Sequence, residues 1–133
     1  EASKDNPVFY VQYAHARISS LKRKIAEAGI AGDADLSLLD AEDLELVKLA
    51  AQFPRMVESA AANHEPHRIA FYLYDLAAAF HAYWNLGNDR PDRRILVVNN
   101  AALTLSRLFL GAAIGQIIAN GLSIMGVTAV EEM

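Results

Sequence analysis

The sequence predicts an all-α chain, a bundle of about five helices, and two observations carry that expectation. Apolar residues recur at the three-and-four spacing of single helix faces, and residues that start or stop helices stand at the ends of those runs. At 133 residues, 53% hydrophobic and 21% charged, the chain has the length and apolar content of one globular domain and is too apolar for disorder. It contains no cysteine, so neither a disulfide framework nor a thiolate metal site is available, and a reducing compartment is compatible. Glu1 stands first and no charged-then-apolar leader follows, which reads as an excised piece without a targeting signal. Residues 1–5 are expected to be the remnant of a linker and residues 6–133 the helical domain.

The first helix is expected from Pro7 to about Ala28. Asn6 can accept from the open N–H groups of a first turn, Pro7 suits the first helical position because its missing donor is not needed there, and Gly29 supplies a left-handed stop. Val11, Ala14, Ile18, Leu21 and Ile25 form its apolar stripe. Tyr10, Tyr13 and Arg17 share the same spacing on the flank. Two phenols and a guanidinium one turn apart make a flat aromatic surface with a cation beside it, a combination suited to an unstacked base and its phosphate. Lys22, Arg23 and Lys24 complement the dipole at the helix end and read as solvated. His15, on the other shoulder, reads as a packed or hydrogen-bonded side chain rather than a catalyst.

Residues 29–39 form a loop expected to be pinned on the core through Leu36, Leu38 and Leu39. Asp40 then caps a second helix, with Asp43 at its third position, and Leu46, Leu49, Ala50 and Phe53 make its stripe. Pro54 interrupts that run, and Met56, Val57, Ala60 and Ala61 keep the period of a short third helix. Pro66 opens a central helix that is expected to run to about Leu86 and stop at Gly87, with Ile69, Leu73, Leu76, Phe80 and Tyr83 as one seam. Trp84, one turn beyond Phe80, reads on its own as a core aromatic. The Gly, Asn, Asp and Pro-rich stretch that follows is expected to be a loop exposing Arg90, Arg93 and Arg94. A last helix is placed at about Ile95 to Ile118. The run from Leu108 to Val127 is apolar enough to raise a membrane span, but Gln116, Asn120, Ser123 and four glycines interrupt it, so it reads as a helix buried in a bundle. Gly111 and Gly115 are expected to admit a neighbouring helix closely.

The net charge of -4 argues against a generic nucleic-acid binder. Six acids lie between Asp33 and Glu45 without a base among them and read as a solubility face, while Lys22–Lys24 and Arg90, Arg93, Arg94 form separate basic clusters that could meet phosphate elsewhere. No Gly-rich phosphate loop and no nucleophile beside a base is present. His64 and His67 have a spacing that could ligate zinc, yet with no thiol and no third ligand a turn-and-cap reading is preferred. No catalytic residue and no metal site is therefore assigned.

The order of residues is more specific than this physics. Asn6-Pro7-Val8-Phe9-Tyr10-Val11-Gln12-Tyr13-Ala14-His15-Ala16-Arg17-Ile18 closely resembles the start of the C-terminal helical domain of bacterial arginyl-tRNA synthetases. Glu65-Pro66-His67-Arg68-Ile69-Ala70, with Tyr74-Asp75-Leu76-Ala77 and Phe80, is similar to that family's central helix, and Asn120-Gly121-Leu122 through Gly126-Val127 to Glu132-Met133 is similar to its end. The resemblance implies a DALR-type anticodon-binding domain of a class I synthetase that grips the anticodon loop of tRNA(Arg). It implies that Tyr10 and Tyr13 stack on or wall in loop bases, that Arg17 bonds a base edge or phosphate, that Tyr83 or Trp84 closes the other side, and that Met133 offers its backbone or carboxylate. It further implies a cytoplasmic enzyme whose ATP and Mg are used in an upstream catalytic domain, with no cofactor in this domain, no DNA and no membrane as partners. Two positions depart from the family pattern: Val130 stands where a proline is usual, and Gly115 where a basic residue is common. The first puts the stiffness of the tail in question; the second removes a possible contact. The rival reading is a helical protein-interaction module that docks a partner helix along the Tyr/Trp margin.

Overall fold

A computed structural model describes residues 6–97 and 99–133; the expected linker at residues 1–5 lies outside them. In chain order the described residues form α1 (Pro7–Glu27), a 3₁₀ turn (Leu36–Leu38), α2 (Ala41–Ala50), α3 (Phe53–Ala62), α4 (His67–Asp89), a second 3₁₀ turn (Pro91–Arg93) and α5 (Ala101–Ile124). The all-α expectation is met. α1, α4 and α5 pack on one another around Ile18, Leu73, Phe80, Ile114, Ile118 and Leu122, while α2 and α3 lie along α4.

Local chemistry explains most boundaries. The Asn6 side chain accepts from Val8 and Phe9 N–H at the start of α1, and Gly29, at φ +75°, ends it. Asp40 and Asp43 bond each other's backbone N–H groups, a reciprocal cap that starts α2. At the far end of α2, the Tyr72 hydroxyl donates to the carbonyls of Leu49 and Ala50 at 2.7 and 3.1 Å, and burial pushes its pKa up to about 12. Both are last-turn carbonyls, and that of Leu49 also accepts from Gln52 N–H at 3.2 Å.

Three expectations are corrected. α4 does not stop at Gly87 but continues to Asp89, and Gly87 is buried inside it. A Cβ there would stand 2.7 Å from Arg94 Cγ and 3.1 Å from Arg94 Cα, so the glycine serves close packing rather than termination. α5 begins at Ala101 rather than Ile95, because Asn100 accepts from Leu103 N–H and Thr104 takes both the N–H and the carbonyl of Val97, which ties that residue to the first turn outside the helix. The 29–39 loop is pinned by polar contacts instead of leucines: Leu36 and Leu38 are exposed, whereas Ser106 Oγ accepts from Asp35 N–H at 2.9 Å and donates to its carbonyl at 2.8 Å.

α5 is long and apolar enough to cross a membrane by length and composition. In the bundle its apolar length is used against α1 and α4. A Cβ on Gly115 would stand 3.2 Å from Ile18, and one on Gly121 2.7 Å from Leu73, so these two glycines set the closest helix approaches. Gly111 is looser, with Phe80 4.0 Å away. Gly115 thus faces the core, where a basic side chain has no room.

The largest correction concerns charge. Asp43 was expected on a solvated acidic face, and Arg93 on an exposed loop; both are buried, at 0% and 3% exposure. Arg93 reaches Asp40 at 2.6 Å and Asp43 at 3.1 Å, with Glu42 at 3.4 Å, and Arg107 Nε lies 3.9 Å from Asp43. Burial alone would lower the Arg93 pKa, but the three carboxylates outweigh it and raise the value above that of a free guanidinium. For Asp40, burial pulls upward and is outweighed by the Asp43 backbone N–H and by Arg93, so its carboxyl stays below its ordinary range. Arg107 also donates to the carbonyls of Asp92 and Arg94, both at 2.7 Å. The cluster ties α2, the second 3₁₀ turn and α5 together.

Candidate nucleic-acid interface

The flank of α1 and the second half of α4 meet along an aromatic margin. Tyr10 packs between Tyr74 and His81, with ring centres 4.9 Å from each. One turn on, Tyr13 stacks on His81 at 5.2 Å and 26°. A further turn on, the Arg17 guanidinium lies 4.6 Å over the Trp84 ring and 5.1 Å from the Tyr13 ring. Its Nη2 donates to the Tyr13 hydroxyl at 3.1 Å and its Nη1 to His81 Nδ1 at 3.2 Å.

His81 makes that last bond possible. It is only 7% exposed, and burial, followed by the charge of Arg17, lowers its pKa to about 4, against a weaker opposing pull from the Tyr10 backbone. The imidazole is therefore neutral at pH 7. Nδ1 accepts from Arg17, which places the ring proton on Nε2. Among the described residues Arg17 has no carboxylate within ion-pair distance, so its charge is oriented by neutral groups and not cancelled.

The tail builds the remaining wall. Gln12 donates from Nε2 to the Thr128 carbonyl and accepts at Oε1 from Val130 N–H, both at 2.8 Å. His15 Nδ1 lies 2.6 Å from the Val130 carbonyl, and Arg23 donates to the Glu131 carbonyl at 3.3 Å. Val130 uses a donor that proline lacks, so the departure from the family pattern is matched by a hydrogen bond, and the tail is fixed on α1. The result is a hollow of about 360 Å³ lined by Tyr13, Arg17, Arg23, Lys24 and Trp84, and by Glu131, Glu132 and Met133 of the tail.

Of the six residues singled out from the sequence, Tyr13, Arg17, Trp84 and Met133 line this hollow. Tyr13 is 40% exposed and Met133 59%. Tyr10 supports His81 from behind and does not line it. Tyr83 is the correction. It is 5% exposed, and its hydroxyl donates to Asp43 Oδ1 at 2.5 Å, so it belongs to the buried charge cluster and closes no side of the hollow. Burial, then the bond to Asp43, raise its pKa. Sequence reasoning missed Gln12 and His81. Gln12 beside Val11, and His81 between Phe80 and Trp84, were visible as polar residues next to apolar stripes, which is the signal a buried functional group leaves.

The helical scaffold thus holds the Arg17 guanidinium on an indole beside an open hollow. The DALR anticodon binding domain family matches residues 11–133, and the chain belongs to that family. Among its relatives, the arginine–tRNA ligase of Novosphingobium aromaticivorans is 63% identical over all of this chain, which spans 23% of that protein. The arginine–tRNA ligase of Methylobacterium nodulans is 54% identical, again over the whole chain and 24% of the relative. In three dimensions the Thermus thermophilus arginyl-tRNA synthetase superposes with a TM-score of 0.85 at 34% identity, over 98% of this chain and 22% of that one. The chain thus spans about a quarter of the length of the curated relatives it matches.

Proposed function

We propose that this chain holds the anticodon loop of tRNA(Arg) for an arginine–tRNA ligase. It positions the transfer RNA so that ATP- and Mg-dependent aminoacylation occurs in the part of the relatives that this chain does not span. The observation that carries the reading is the open hollow where Tyr13, Arg17 and Trp84 converge. A splayed base can stack on the exposed Tyr13 or Trp84 ring, and Arg17, whose two acceptors are neutral, keeps its charge for a base edge or phosphate. Lys24 and Arg23 at the rim add positive charge. Positioning of this kind converts recognition into rate, because the acceptor end arrives oriented at the reacting centre. The family match and the names of its relatives support the same assignment, with a soluble protein working in the cytoplasm.

The test is a binding titration with tRNA(Arg) and with the same RNA altered at the middle anticodon base. The unaltered protein should prefer the first, and Tyr13→Ala or Arg17→Ala should weaken tRNA(Arg) binding by about 1–3 kcal/mol while leaving helical content intact. Binding should also weaken steeply with salt as counterions are released, whereas an apolar groove for a partner helix would hardly respond. Equal binding of both RNAs, unaffected by either substitution, would end the proposal.

A further inference from the structure

A second hollow, of about 340 Å³, shares Trp84 and Lys24 with the first. Its floor is apolar, formed by Leu21, Ile95 and Leu96, and its rim carries Arg94 and Asn88. Its charge differs from that of its neighbour. Glu131 and Glu132 line the first hollow, whereas among the described residues no carboxylate lines the second.

Arg94 is built into that rim. Its Nε donates to the Gly87 carbonyl at 3.0 Å, its own carbonyl accepts from the buried Arg107 at 2.7 Å, and the missing Cβ of Gly87 is what lets its backbone lie against α4. The two terminal nitrogens of its guanidinium remain uncommitted among the described residues. The Lys24 ammonium, on the shared edge, makes no hydrogen bond or ion pair among the described residues. The two basic clusters of the sequence therefore each deliver one member here, while Arg93 is consumed in the core and Arg90 pairs with Glu42 at 3.3 Å.

The geometry points to a second nucleotide subsite, in which the nucleotide next to the one in the first hollow lays its base on the Leu21, Ile95 and Leu96 floor beside Trp84 and its phosphate between Lys24 and Arg94. This rests on the proposed RNA-binding function and names what lies one step further along the same strand. An apolar floor that accepts any base face, with two cations at its edge, binds through stacking and phosphate and reads little sequence. The first hollow then supplies base choice and the second supplies strand affinity.

The separation of roles is testable with an anticodon stem-loop hairpin of tRNA(Arg) titrated against the chain at several salt concentrations. Lys24→Gln and Arg94→Gln should each reduce the magnitude of the slope of log K against log salt by roughly 0.7, and Arg94→Gln, at a residue that lines the second hollow and not the first, should preserve the preference for the unaltered middle anticodon base. Arg94→Lys keeps the charge without the bond to Gly87 and should keep the slope. Leu96→Glu, which places an acid on the floor, should weaken binding at least roughly tenfold with the same base preference. An unchanged slope in the Lys24→Gln, Arg94→Gln double variant would overturn the subsite while leaving the first-hollow reading standing. Loss of slope in Arg94→Lys equal to that in Arg94→Gln would also overturn it, because the arginine would then matter only for holding Gly87. Failure of the unaltered chain to bind either the hairpin or full tRNA(Arg) in a salt-sensitive way would overturn the RNA-binding reading itself, and the subsite with it.

Discussion

Two arginines of this chain lie over aromatic rings and are used in opposite ways. Arg93, 6.0 Å from the Tyr83 ring centre, is buried with Asp40, Glu42 and Asp43 around it, and its charge is spent on joining helices. Arg17, 4.6 Å over Trp84, is half-buried and held by a neutral imidazole and a phenol, so its direction is fixed while its charge stays available. The same contact, guanidinium over ring, is structural in one place and, in the function proposed above, a binding device in the other. The nature of the acceptors decides which. Carboxylates cancel the charge; neutral lone pairs only aim it.

The sharpest way to break the comparison is to remove each arginine. Arg93→Ala leaves Asp43 buried with a partner missing and should cost about 3–5 kcal/mol in urea or guanidinium unfolding. His81 comes next. Its folded pKa of about 4 lies below the ordinary 6.5, so between those values the unfolded chain binds a proton that the folded chain refuses. Stability should therefore rise with pH across that window and be lost as pH falls from about 6.5 towards 4, by about 2–3 kcal/mol. Denaturation midpoints of the unaltered chain and of His81→Phe, measured at pH 7 and pH 4.5, isolate that contribution, and a difference that does not change with pH would show that the imidazole is not held neutral.

Gln12→Ala removes both hydrogen bonds to the tail and should cost about 1–2 kcal/mol. Hydrogen exchange at Val130 N–H should accelerate to the rate of an unprotected amide, while exchange in α4 stays slow. Arg17→Ala should be the smallest change in stability, under about 1 kcal/mol, because its partners are neutral and no buried charge is left unpaired. A loss as large as that of Arg93→Ala would collapse the contrast and make Arg17 a second structural clamp.

Helix starts were the legible part of this fold, because their chemistry is local. Asn6 before Pro7 and the Asp40–Asp43 pair announce α1 and α2 within four residues, and the structure uses both as read. The family resemblance singled out Tyr13, Arg17, Trp84 and Met133, and all four line one hollow. What could not be read depends on distant partners. Asp43 looks like any member of an acidic run until Arg93, 50 residues on, is folded onto it. Tyr83 and Trp84 are neighbours in sequence, yet the 100° turn between them sends one to Asp43 and the other to Arg17. Gly87 carries the ordinary mark of a helix end, and only the return of the chain at Arg94 shows why a side chain is excluded there. The start of α5 was misplaced for a related reason: Ile95 has the spacing of a helix face but is buried in a non-helical segment whose Val97 is tied to Thr104.

The Gln12 side chain treats the tail as one edge strand treats another, presenting an acceptor to one residue's N–H and a donor to the carbonyl two positions earlier. Such a bridge fixes which side of the tail faces α1. Sliding the tail by a single residue would turn both groups away from the amide and lose the two bonds together. The wall of the first hollow is accordingly set from the opposite end of the chain, by one amide together with the His15 and Arg23 contacts beside it.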